Sequence, residues 1–373
     1  MRSTHASLSL FAIAAALVCC AAVIAPRATA ADRIVLRNLT IISDKRVASM
    51  TLDGVTLDDG ARLSWDEIET GKLDGQRQAL FDKYLANIGI HLYRIRQRLA
   101  VGDYRSLLPH AEAIARFYQD RDSDTAYVVM QSLMWGRMAN GQREAAVAPY
   151  WRCFELLRAR QGKPPALPGE RRLKYDPSTG VCLELPPIWF DRDAAQAAMS
   201  SVAAAIGQVQ EPRPDATRVY YAALALAAGD VEAAERAAAG VGDANRTLAQ
   251  LRDIVLAQRE VEAGAPGAKL QWLQTSLDKL DEANRPLALY WLGRSQAASD
   301  DAQVQQQGLL NLLRLPAAYA EQQPDLAAAG LFAAMNSLEA RGELPASIAV
   351  RGELLSKYAQ SWHAAKAAPS RSD

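Results

Sequence analysis

The sequence predicts a mainly α-helical chain, an antiparallel helix-pair solenoid preceded by a small β module. Three observations predict it. From Gln76 onward, apolar residues recur at intervals of three and four, the period of amphipathic helices. Short β-prone runs broken by Asp-Gly turns are confined to residues 34–68. Four turns of one kind, a Gly followed by a polar residue, join apolar helices to their successors. The stretch Arg218 to Val241 is the clearest unit, two helices back to back with Gly229-Asp230 between them.

The chain has 373 residues, half of them hydrophobic, enough for two cores or one extended array. Residues 1–30 read as a signal peptide. Leu8 to Ile24 is almost wholly apolar, and the small residues Ala28 and Ala30 place the cut after Ala30. The expected address is the periplasm or the extracellular space. A retained anchor is the alternative, because the apolar run reaches the lower limit for a span. A lipid-anchored form would use Cys19 or Cys20, but Val18 is a poor residue to precede a lipidated Cys. Cleavage removes Arg2 and Arg27 and no acid, so 42 basic and 42 acidic residues become a mature charge of 40 − 42 = −2. A chain so near neutrality has no overall field for nucleic acid, and Arg94, Arg96 and Arg98 wrap around a helix instead of lining one face.

The β module is expected over 31–72. Its runs are Ile34-Val35-Leu36, Leu39 to Ile42, Val47 to Leu52, Val55-Thr56-Leu57 and Ala61 to Trp65, ending at Asp66-Glu67-Ile68. Three to five strands of this length resemble a small SH3-like barrel in pattern. Such a module is marginal alone, so it should pack on the first helix with Trp65 in its core.

Helical repeats are expected over 73–160. A long helix carries Leu80, Tyr84, Ile88, His91, Leu92, Ile95 and Leu99 and stops at Gly102-Asp103. The next runs from Tyr104 to Tyr118 with Pro109 in its early turns, and a third from Thr125 to Ala139, closed by Asn140-Gly141. Gln142 to Arg160 follows, with Pro149 as a kink point.

Residues 161–190 differ. Six of the seventeen prolines fall there, and Arg172 to Tyr175 and Val181 to Leu185 flank a turn, the pattern of a β-hairpin. A loop of this length is either functional or a cover for a groove. Only Cys153 and Cys182 survive cleavage. Export permits a disulfide between them, worth on the order of 3 kcal/mol; the alternative is two separate buried thiols.

Helical repeats resume over 191–366. Expected helices are Asp191 to Gln210, the pair at 218–241, Asn245 to Ala263, Ala268 to Asp281, Arg285 to Ala298, Gln303 to Leu315 ended by Pro316, Asp325 to Ala340, and Pro345 to Ser361. Residues 367–373 form a disordered tail.

The four turns centre on Gly102, Gly141, Gly229 and Gly342, where glycine accepts the positive φ after a helix end. With Ala222 and Ala234 at the small positions of the two helices around Gly229, this resembles the tetratricopeptide repeat. Leu331 and Leu338 match its first helix in the last unit, and Leu287 to Gly293 also looks like one; Ser347 and Ala359 depart from it. The glycine spacings of 39, 88 and 113 are not multiples of the family's roughly 34 residues, so the repeats are degenerate. The plan of signal, β module and helical repeats also looks like exported proteins of Gram-negative-type bacteria.

The resemblance implies a non-catalytic scaffold or adaptor whose stacked helices offer a protein partner a groove. Its groove residues are expected among the less apolar aromatics, Tyr127, Tyr220 and Trp291, each of which also fits a core position. No catalytic motif, cofactor site or metal site is legible. The mature histidines His91, His110 and His363 are far apart in sequence, and none has a second ligand one helical turn away. Two other functions are compatible with the pattern. One is an envelope hydrolase acting on cell-wall or glycan material, with 161–190 as a lid. The other is a membrane-tethered assembly factor, which needs an uncleaved or lipidated signal. The sequence does not specify an oligomeric state.

Overall fold

The computed structural model describes residues 32–265 and 267–368, so the expected signal peptide and most of the expected tail lie outside the described residues. The chain is mainly α-helical with a small N-terminal antiparallel β region, and it divides into two compact units, the first ending at Gly89 and the second starting at Ile90.

The first unit holds two three-stranded sheets. β1 (Arg33–Leu36) is flanked by β2 (Ile41–Ile42) and β6 (Ile68–Lys72); β4 (Gly54–Leu57) is flanked by β3 (Val47–Thr51) and β5 (Arg62–Leu63). The expected meander is therefore incomplete. It stopped where β6 begins, because Ile-Glu-Thr-Gly-Lys has no apolar run; pairing with β1, Arg33 against Lys72, makes it a strand. Buried Asp32 ties the parts together, accepting from the backbone N–H of Val47 at 2.8 Å and from Arg77 at 2.9 Å. The module does pack on the first helix, α1 (Arg77–Tyr84). Trp65 is fully buried, donates to the Thr51 carbonyl at 2.7 Å and meets the Phe81 ring edge-on at 5.4 Å. Helix α1 therefore belongs to this unit, and five residues of π-helix, Leu85–Gly89, end it.

The second unit begins with α2 (Ile90–Ala100), α3 (Tyr104–Ala115) and α4 (Asp124–Ala139). A 3-10 turn (Glu144–Ala146) then leads into α5 (Val147–Ala159). After the Pro-rich segment come α6 (Arg192–Gln208), α7 (Ala216–Ala228), α8 (Val231–Ala239), α9 (Arg246–Glu262) and α10 (Ala268–Ser276). The chain continues through α11 (Arg285–Ala297), α12 (Ala302–Ala318), α13 (Pro324–Ala340), α14 (Leu344–Lys357) and α15 (Trp362–Ala367).

The four glycine turns share one geometry. Gly102, Gly141, Gly229 and Gly342 have φ of 72°, 72°, 88° and 74°. In each, the next residue donates its N–H to the carbonyl five back, as Asp230 does to Ala225 at 2.8 Å and Glu343 to Leu338 at 2.9 Å. This is the Schellman closure, which satisfies carbonyls the helix end leaves open. Asp103 and Asp230 also cap the following helices by accepting from Ser106 and Ala233. The other two turns lack such a cap: the residue before the 3-10 turn is Arg143 and the one before α14 is Glu343, and neither side chain makes a cap bond.

Three prolines behave differently from expectation. Pro109 stands mid-helix, where it leaves the Arg105 carbonyl without its i+4 donor; the Asn140 side chain supplies a hydrogen bond there at 3.2 Å. Pro149 does not kink a helix, because α5 starts only at Val147 and Pro149 falls in its first turn. Pro316 does not end α12, which runs on to Ala318. The carbonyl it strands belongs to Leu312 and lies against Gly330 of α13, where an added Cβ would be 2.6 Å away. The last long helix is also shorter than expected. It stops at Lys357, and a separate helix, α15, packs its Ala364 and Ala367 into the cluster of Leu331 and Met335.

Helices from α3 onward pack mostly on their sequence neighbours. A second series is superimposed: α7 packs on α9, α9 on α11, α11 on α13 and α13 on α15. The unit is not open-ended, however. Buried Arg143 forms an ion pair with Asp325 of α13. Trp362 of α15 donates to Asp191 at 3.1 Å, and His363 meets the Phe190 ring at 4.3 Å.

The Pro-rich segment is buried in part, mainly at its C-terminal end. The expected hairpin reduces to one bridge between Tyr175 and Cys182 around the Asp176–Gly180 turn. Around that bridge Asp176 N–H donates to the Val181 carbonyl and Leu183 N–H to the Lys174 carbonyl, each at 2.9 Å, and two buried tyrosines hold the chain as well. Tyr150 donates to the Gly180 carbonyl at 2.6 Å; Tyr220 donates to the Leu185 carbonyl at 2.6 Å and accepts from Cys182 N–H at 3.1 Å. Leu185, Ile188 and Trp189 of the segment are buried.

Candidate functional site

Hollows of about 700, 600 and 460 Å³ lie in the second unit. That of about 600 Å³, along α8 and α9, is lined by Arg252, Asp253 and Lys269, which pair with one another. That of about 700 Å³ has α6 as one wall, where Ala194, Ala197, Ala198, Ala204 and Ala205 face it. Its polar groups are engaged with one another: Gln208 donates to Asp120, Arg152 pairs with Asp122, and Arg137 donates to the Ala145 carbonyl. Glu144, buried there, accepts from the N–H groups of Phe190 and Asp191, while desolvation raises its pKa. This hollow offers small apolar contacts and few free polar groups.

The hollow of about 460 Å³ carries more chemistry than that of about 700 Å³. It lies on the series α9, α11, α13 and α15. Tyr290, Trp291 and Arg294 project from α11 at helical spacing, and Ala333, Asn336, Ser337 and Ala340 do so from α13. The small residues of α13 make the space. Phe332, Trp362, His363 and, from the end of the Pro-rich segment, Trp189 and Phe190 supply aromatic walls. The Arg294 guanidinium stands 5.8 Å from the Tyr290 ring and 5.5 Å from the Trp291 ring, within cation–π range. No carboxylate of the described residues forms an ion pair with it. Glu262, at the end of α9, keeps much of its surface exposed but turns its carboxyl to this hollow; desolvation raises its pKa, against the pull of Gln258, Arg294 and Arg192. Asn336 is exposed within the hollow.

His363 is 3% exposed and packed against Phe190, Phe332 and Trp362. Burial, with the charges of Arg143 and Arg294, lowers its pKa to about 3. The unfolded chain has the ordinary value near 6.5, so between those limits the unfolded state binds the extra proton. Stability from this group is complete above about pH 6.5 and falls by at most about 1.4 kcal/mol per unit as pH drops toward 3. Urea titrations at pH 7 and 5 should show that loss. His363→Phe should lessen it, while His91 and His110, whose pKa values burial also lowers, retain a smaller share.

The residues expected from the sequence fall differently. Tyr127 and Tyr220 are 1% and 0% exposed and belong to the core, not to a groove. Trp291, also almost fully buried, does form part of the aromatic wall. Cys153 and Cys182 are free thiols, both fully buried, so the disulfide expectation is corrected. Each packs as a small apolar group, with Cys182 fixed by backbone bonds to Tyr220, and burial pushes its thiol up to about 12. Sequence reasoning did not find Arg294, Asn336, Glu262 or His363. For Asn336 the available signal was a polar residue interrupting the apolar stretch 326–338, and for Arg294 a cation directly after 287–293; Glu262 and His363 gave none. The structure also brings His91 and His110 together, across a 19-residue separation that a search within one helix does not span. No helix of the described residues is long and apolar enough to cross a membrane. Comparison with protein-family models, with curated proteins and with solved structures finds no match to this chain.

Proposed function

We propose that the chain is an exported, non-catalytic scaffold or adaptor of degenerate tetratricopeptide-like design that binds a protein partner through the hollow of α9, α11, α13 and α15. The observation that carries this is the aromatic wall around an Arg294 that has no ion-pair partner, set on the series of next-but-one helices. In a stacked-pair array such a series forms the surface presented to partners. Aromatic and Arg side chains are the residues that most often dominate a protein–protein contact. The small β unit, with six strands in two sheets, adds a second module to the same scaffold. The test is affinity purification of the exported protein beside Arg294→Glu and Asn336→Lys. One partner, enriched with the native chain and lost from both folded variants, is the expected result. A partner retained equally by both variants sinks the assignment to this hollow.

A second reading, an envelope hydrolase, draws on one observation: Glu262, with its raised pKa, shares the hollow with neutral His363. Glycan hydrolysis ordinarily uses two carboxyl groups, and Glu262 is the sole acidic residue lining the hollow among the described residues. A lid at 161–190 would have to break the tyrosine bonds that hold that segment. Turnover of a glycan by the native chain, lost in Glu262→Gln, would favour this reading over the first. Export itself is checked by mass spectrometry of the mature N-terminus. A free Ala31 supports a soluble protein, and an acylated Cys19 or Cys20 supports the tethered alternative.

A further inference from the structure

The turn at Gly102-Asp103 folds α3 back along α2, so a residue near the start of α2 comes level with one just past the middle of α3. His91 and His110 occupy those places. Their Nδ1 atoms are 3.2 Å apart, with ring centroids at 5.4 Å and ring planes 54° apart, so the pair meets by its nitrogens and is not stacked. Two imidazole nitrogens on one tetrahedral ion, each at 2.0–2.1 Å, would stand about 3.3 Å apart. We propose that His91 and His110 form a two-imidazole site for a divalent transition metal ion of intermediate softness, copper(II) or zinc.

Both rings are half-buried, and burial lowers their pKa values, so they are neutral and able to ligate at pH 7. In the metal-free chain one Nδ1 carries the proton that the other accepts. On metal binding that proton leaves Nδ1 and the same ring takes one up at Nε2. Both Nδ1 lone pairs then go to the ion, with no net release of protons. Beyond burial, the groups that bear on His110 are His91, then Arg98 and Arg94, all from α2. Asp103 pairs with Arg98 and offsets part of its repulsion. Among the described residues no third His, Cys, Asp or Glu completes a cluster. The remaining positions are therefore open to water or to a donor from another molecule, and affinity should be micromolar instead of that of a closed structural site. Imidazole suits copper(II) and zinc, whereas magnesium prefers oxygen ligands.

The experiment uses the tag-free exported chain and three probes, Cu²⁺, Zn²⁺ and Mg²⁺, in calorimetric titrations. Electron paramagnetic resonance of the copper form reports nitrogen ligation. One Cu²⁺ or Zn²⁺ per chain is expected, with copper the tighter and no heat from Mg²⁺. His91→Ala and His110→Ala should each weaken binding by about tenfold or more, with circular dichroism confirming the fold of each. Cys153→Ser/Cys182→Ser should bind as the native chain does, since those thiols are buried. Unchanged affinity in a folded His91→Ala/His110→Ala double variant overturns the proposal. So does the absence of stoichiometric Cu²⁺ and Zn²⁺ binding to the folded native chain.

Discussion

Tyr220→Ala is expected to lower the stability of the helical unit by about 3–5 kcal/mol, the cost of emptying a fully buried aromatic site. The ring stacks on Tyr150 at 5.8 Å and meets Trp151 edge-on at 5.5 Å, and Trp189 packs against it at 6.2 Å. Its hydroxyl is the second component. It bonds both Cys182 N–H and the Leu185 carbonyl, so Tyr220→Phe strands two buried backbone groups while leaving the packing in place. That variant should lose about 1–3 kcal/mol. Urea unfolding followed by tryptophan fluorescence separates the two. Hydrogen exchange should show the loss first in residues 161–190, because this phenol is one of the two that hold the segment. A Tyr220→Phe variant as stable as the native chain would mean that the segment is held by packing alone.

Gly308→Ala should destabilise the protein by about 1–3 kcal/mol, although alanine is intrinsically the better helix former by about 1 kcal/mol. At this position α12 meets α11 backbone to backbone. An added Cβ would fall on the Ala297 nitrogen, 2.7 Å from the Gln296 carbonyl carbon and 2.8 Å from the Gly293 carbonyl oxygen. Backbone cannot rotate away as a side chain can, so the helices must separate. Gly352, inside α14, provides the contrast: nothing lies within 4 Å of its would-be Cβ. Gly352→Ala should therefore stabilise by up to about 1 kcal/mol. Opposite shifts of the thermal midpoint in these two helix glycines would confirm that close approach, not helix propensity, decides the first. A rise in both would show that α11 and α12 can part at little cost.

Much of the architecture is legible because it rests on local rules. A Gly-polar turn needs only the positive φ and the backbone closure that follow from a few adjacent residues, and all four turns have both. Asp191, Asp230 and Asn245 announce helix starts and do cap them. Prolines were misread where tertiary neighbours compensate. Asn140 meets the carbonyl stranded by Pro109, and Gly330 lets α13 approach the one stranded by Pro316. Strand β6 and the collapse of the hairpin have the same origin, since both are settled by partners far away in sequence.

The candidate site was less legible. Trp291 was identifiable as an aromatic on an apolar helix, but Tyr127 and Tyr220 have the same signature and are core. What distinguishes them is which helix face meets the hollow, and that depends on packing across α9, α11, α13 and α15. Glu262, Arg294, Asn336 and His363 are spread over about a hundred residues, each an ordinary residue in its own stretch. The His91 and His110 pair escaped for a similar reason, because two helices and a turn separate residues whose nitrogens are 3.2 Å apart.

Site-specific photo-crosslinking in the cell that makes the chain tests most directly whether this hollow receives a protein partner. A photoreactive residue would replace Asn336, exposed within the hollow, and in a separate chain Ile348, which is 65% exposed on α14 and does not line it. A discrete protein-sized adduct is expected from position 336, absent from position 348 and lost when Arg294→Glu is added. No adduct at 336, or the same adduct from both positions, would contradict it.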